Sequence, residues 1–142
     1  MDNIYDILNI SNDSLESKIE LAIKETKESL NNITYERMCK VYSQYVFNYL
    51  RKNHVVSRII NTKDIGASYE HHFVLIPIDG KEYYLVDLTY KQFNNKDYYK
   101  ELYDKGYEKI SSLDFAMYYS IVTNDTTNKS LSDVFSKNIM RR

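Results

Sequence analysis

The chain has one cysteine, one proline, three glycines and no tryptophan. A lone cysteine, Cys39, excludes an internal disulfide framework and any zinc site built on several thiolates. Three histidines are too few for a rich metal centre, and neither a carboxylate cluster nor a phosphate-binding glycine loop joins them. No metal and no cofactor is therefore expected. No Pro- or Gly-rich linker and no internal repeat interrupts the 142 residues, which read as one domain, 1–142. An excess of one charge is also missing. Nineteen basic against 20 acidic residues leave −1, which gives no general attraction to nucleic acid or to a membrane surface. No apolar run reaches the length of a membrane span. The opening MDNIYDILNISND lacks the basic and apolar regions of a signal peptide. The expected location is the cytoplasm where the protein is made, with export by a signal-free route left open.

What is present is a globular composition, 43% hydrophobic and 27% charged. Tyrosine is abundant at 15 residues, which reads as tyrosine replacing other aromatics in core and rim positions. Residues 1–12 read as a loose lead or a short helical turn. From Ser14 to about Leu30, Leu15, Ile19, Ala22 and Ile23 recur at helical spacing, with Asp13 or Ser14 as a cap. A second helix carries Met38, Val41, Tyr42, Tyr45, Val46, Tyr49 and Leu50 on one face, with Thr34 as a candidate cap. This long apolar face predicts the central, buried helix.

Residues 54–62 are apolar and β-branched enough for a strand. The stretch Tyr69–Phe93 reads as a hairpin, with Val74–Ile78 and Tyr83–Val86 as its arms and Asp79-Gly80 as its turn. Further on, a short helix ends before Gly106, and an edge strand runs from Tyr107 to Ile110. A helix follows around Phe115 to Val122, and a last one from Leu131 to about Ile139. Strands clustered in the middle with helices around them predict an α+β fold.

The residues that bear chemistry are Cys39, His71 or His72, and Asp87. A cysteine nucleophile needs a base, and the base needs a third group to fix its tautomer. His71 or His72 comes back near Asp87 at the open end of the hairpin. Taken alone, a cysteine on an amphipathic helix is more often a small buried apolar residue. A helix start near Arg37 would favour reactivity, because the positive helix end lowers a thiol pKa.

The wording around these residues resembles the transglutaminase-like branch of the papain-like cysteine enzymes. In that family the nucleophile is followed three residues on by Tyr and then a small residue. A helix ending in Leu comes next, and then a strand "I-x-A-R-x-V". Here those positions are Cys39, Tyr42, Ser43, Leu50 and Val55–Ile60. The second block, His–small–aromatic, strand, Asp-Gly turn and "W-Y-L-V-D-x-T", matches His71-His72-Phe73, Asp79-Gly80 and Tyr83–Thr89. Gln92-Phe93 matches a Gln-Phe found in some bacterial and phage-borne members. The blocks cover residues 39–93. Departures are His72 at a position where the family has a small residue, Phe73 for Trp, His54 for glycine, and a return arm one residue longer.

The resemblance implies a papain/transglutaminase-like core: a central helix carries the cysteine and packs on a small antiparallel sheet, with extra C-terminal helices. It also implies Cys39 as nucleophile, His71 as base and Asp87 as orienter. The reaction would be acyl transfer from a peptide or carboxamide bond to water or an amine: protease, deamidase or transglutaminase chemistry. Compact members include bacterial effectors and toxin domains, which points to a protein or peptide substrate. Hairpin geometry reads differently on the base, since a two-residue turn pairs 72 with 87 and puts His72 opposite Asp87. Adjacent strand residues face opposite ways, so only one histidine is expected to serve. The backbone N–H of Cys39 is the first candidate oxyanion donor, with Tyr35 or Asn32 as weak second candidates. Gln92 is a weak candidate for lining the site, and His54 reads as an ordinary surface residue. The alternative function is a catalytically silent binding module of the same fold. Nothing in the sequence sets an oligomeric state.

Overall fold

The computed structural model describes residues 4–31, 38–79 and 81–125, with side chains from residue 15 onward. Every residue of β2 (His72–Pro77) except the last is buried, which happens when both faces of a strand are covered. β2 pairs antiparallel with β1 (Arg58–Asn61) on one side and β3 (Glu82–Val86) on the other. β4 (Tyr107–Ser111) adds to β3, giving a four-stranded antiparallel sheet in the order β1-β2-β3-β4.

Alternation then sorts the side chains. Val74, Ile76, Tyr84 and Val86 join Ile19 and Ile23 of α1 (Ile4–Ser29) and Tyr42, Val46 and Leu50 of α2 (Cys39–Lys52) in one core. Phe73, Leu75, Tyr83 and Leu85 face the other way. They pack with Leu102 of α3 (Lys100–Lys105) and with Phe115, Tyr118 and Tyr119 of α4 (Phe115–Thr123). The fold is α+β, with the sheet between two apolar layers. Among the described residues no helix is long and apolar enough to cross a membrane.

Several expectations need correcting. The lead and the first helix are one element, α1, so Asp13 and Ser14 lie inside it rather than at its start. Tyr45 of the expected buried face is 38% exposed, because the buried stripe of α2 runs through Tyr42, Val46 and Leu50. β1 starts only at Arg58. His54 ends α2 in a left-handed conformation, φ 62°, and donates its N–H to Arg51 O. That conformation suits glycine best, as the family pattern has at this position. The hairpin loop spans three residues, 79–81, rather than two. Asp79 Oδ1 accepts from the N–H groups of Lys81 and Glu82 at 2.7 and 2.8 Å. Thr34 as a cap, the Gly80 half of the turn, and the helix expected over 131–139 lie outside the described residues.

Candidate active site

The hairpin loop decides which histidine meets Asp87. With three residues in the loop, Val74 pairs with Val86 and Leu75 with Leu85. Odd-numbered residues of the two arms therefore share a face, and Asp87 falls on the side of His71 and Phe73. The histidine is held by its own backbone. His71 N–H donates to Thr62 Oγ1 at 2.8 Å, and Thr62 N–H donates to His71 O at 2.9 Å. Thr62 stands just past β1 and is fully buried.

Asp87 follows β3 and is anchored by its N–H to Gly106 O at 2.9 Å. Its carboxylate is fully satisfied. Oδ1 accepts from Thr89 N–H and from Thr89 Oγ1, both at 3.0 Å. Oδ2 accepts from His71 Nε2 at 2.8 Å and from the Tyr118 hydroxyl at 2.7 Å. The Asp-x-Thr wording thus has a physical reason, since the threonine closes an Asx-type turn on the aspartate. A carboxylate only accepts, so His71 carries a proton on Nε2, which leaves Nδ1 as the ring nitrogen not engaged by Asp87. The edge of Phe93 meets the His71 ring at 5.0 Å, and His71 is 1% exposed.

Cys39 is the first residue of α2. It is preceded by Met38, which gives no side-chain cap. The half-exposed thiol therefore sits in the first turn, where backbone N–H groups have no acceptor inside the helix and the dipole favours negative charge. Its sulfur lies 3.8 Å from His72 Nδ1. Hydrogen bonding and charge from His71 also act on Cys39, so both histidines influence the thiol, while His71 is the one bonded to Asp87. β2 begins at His72, so His71 precedes the strand and is not bound by its strict alternation.

These neighbours set the ionisation. Burial raises the Cys39 thiol, but hydrogen bonds from His71 and His72, and the charge on His71, outweigh it and bring the pKa to about 6. Burial lowers His71, but the charge and hydrogen bond of Asp87, with help from Cys39, raise it to about 9. Asp87 is pushed up by burial. The opposing charge of His71 and the hydrogen bonds from His71, Tyr118 and Thr89 hold it below the usual carboxylate value. Tyr118 is raised well above an ordinary phenol by burial and by Asp87, so it stays a donor. The lowered thiol and the raised imidazole together favour a thiolate beside an imidazolium.

The structure thus brings Cys39, His71 and Asp87 together. Gln92 lies half-buried in the turn Tyr90–Phe93, and its N–H donates to Thr89 O at 3.1 Å. This fits a loop-fixing residue. Tyr35 and Asn32 lie outside the described residues. His54 is exposed, as expected. Among the described residues no group of three or more potential ligands gathers to hold a metal. A surface hollow of about 510 Å³ lined by Tyr98, Ile110, Leu113 and Met117 lies away from Cys39.

Sequence reasoning missed Tyr118, Thr62 and Gly106 as supports of the site. Nothing local marks Tyr118 among 15 tyrosines. Gly106 was legible only as a helix terminator, which it also is, at φ 91°. Comparison with protein-family models, curated proteins and solved structures finds no match to the chain.

Proposed function

We propose that the chain is a small cysteine-dependent acyl-transfer enzyme with a papain/transglutaminase-like core, acting on a peptide or carboxamide bond of a protein or peptide. The observation that supports this most is the His71 imidazole. Its Nε2 is fixed to Asp87 at 2.8 Å, and it interacts with the thiol at the head of α2. The Cys39 thiolate attacks the carbonyl carbon, and the Cys39 N–H donates to the oxyanion that forms. His71 gives its Nδ1 proton to the departing nitrogen, leaving a thioester on Cys39 and a neutral imidazole. Neutral His71 then takes a proton from water or from an amine as that group attacks the thioester. The intermediate collapses and the sulfur leaves as thiolate. Water as acceptor gives hydrolysis or deamidation, and an amine gives transglutamination. Asp87 holds the imidazole in place and balances its charge throughout.

The test is iodoacetamide alkylation of the folded chain across pH, followed by ammonia release and amine incorporation with glutamine-containing peptides. Rapid alkylation at pH 7, together with an acyl-transfer product lost in Cys39→Ala and His71→Ala, is expected. Alkylation that requires denaturant would mean that Cys39 is a core residue, and the enzyme reading would then fall.

A further inference from the structure

Two adjacent histidines come to Cys39 from opposite layers of the sheet. His71 belongs to the side of Phe73 and Tyr118, and His72 opens the even-numbered series with Val74 and Ile76, against α2. The reaction proposed above uses only the first. His72 is 7% exposed, and a polar ring buried there requires a partner. Its Nδ1 finds the sulfur at 3.8 Å. A small residue, as in the family pattern, would give the sulfur no such contact.

We propose that His72 is a second hydrogen-bond donor to the Cys39 sulfur through its Nδ1–H, acting beside His71 and taking no part in the proton transfer. This rests on the reading of Cys39 as an acyl-transfer nucleophile. The sulfur alternates between thiolate and thioester. When the thioester breaks, the C–S electron pair returns to sulfur, and a donor already seated there strengthens as the charge appears. His71 has to shuttle its proton to and from substrate. His72 makes the same contact at every stage, so the two rings divide the work.

Among the described residues, the titratable groups that act on the sulfur are His71 and His72 from the β2 side and Tyr118 from α4, with Asp87 behind His71. With one cysteine in the chain, the pH profile of alkylation reports this sulfur alone. His72→Ala should move the profile up by about one pH unit, the size expected for losing one donor to a charged group. His72→Asn, whose amide N–H can take the place of Nδ1–H and does not titrate, should keep the native profile. A low native profile that is unmoved by His72→Ala, or moved equally by both variants, overturns the proposal alone. An ordinary thiol profile in the native chain overturns the acyl-transfer reading and this proposal with it.

Discussion

The Tyr118 hydroxyl donates to Asp87 Oδ2 at 2.7 Å, onto the oxygen that also receives His71 Nε2 at 2.8 Å. Tyr118 is fully buried and 31 residues from Asp87 in sequence. It ties α4 to the end of β3. Its ring also packs against Phe73 at 5.1 Å and Tyr90 at 6.0 Å, so the hydroxyl has little freedom to leave its acceptor.

Tyr118→Phe removes that donor and keeps the ring. A hydrogen bond to a buried charged acceptor is worth about 1.5–3 kcal/mol, so urea unfolding should show a loss of about 2 kcal/mol. The alkylation profile of Cys39 should shift as well, because Asp87 then holds His71 less firmly. An unchanged unfolding midpoint would show that the hydroxyl contributes nothing to the site.

Asp87→Asn gives a stability difference with a defined pH window. His71 is raised from 6.5 to about 9, so the stability it gains is complete below 6.5 and is lost as pH rises through about 9. Asp87 is depressed, so its contribution is present above the ordinary carboxylate value of about 3.9 and is lost as pH falls through its lower folded value. The unfolding free energy of the native chain minus that of Asp87→Asn, from urea unfolding, should be largest near pH 5–6, on the order of 3 kcal/mol. The gap should narrow towards pH 10. A gap that stays constant from pH 5 to 10 would rule out a charged pair.

Gly106→Ala should disturb the site from outside it. Gly106 has φ 91°, and an added Cβ would run into the Leu88 side chain. Leu88 follows Asp87 directly, and Gly106 O receives the Asp87 N–H. The left-handed conformation alone costs an L-residue about 1–2 kcal/mol. A lower melting temperature and faster hydrogen exchange at the Asp87 amide are expected. Native-like exchange there would show that the Gly106 carbonyl is not what anchors Asp87.

The α+β class was readable in the sequence because the apolar periods of the central elements are clean. The spacing of Ile19, Ala22 and Ile23 and the near-continuous run Phe73–Ile76 name their own layers. The edge strand expected over Tyr107–Ile110, one residue short of the observed β4, and Gly106 past the end of α3 followed from local chemistry. The choice of histidine could not come from periodicity, because it depends on whether the hairpin loop has two residues or three. The Asp79 side chain caps the N–H groups of Lys81 and Glu82 and so fixes the longer loop. That interaction is invisible to a dipeptide rule. Tyr118 was unreadable for another reason: its partner is brought to it only by tertiary packing.

Because the sheet lies between two separate cores, the sulfur at its end is governed by packing on both sides. Loosening the layer under α4 would detune His71 while leaving His72 seated. Loosening the layer under α1 and α2 would do the reverse. If His72 acts as proposed, a substitution far from Cys39 can be assigned to its layer by which histidine's influence on the thiol it weakens.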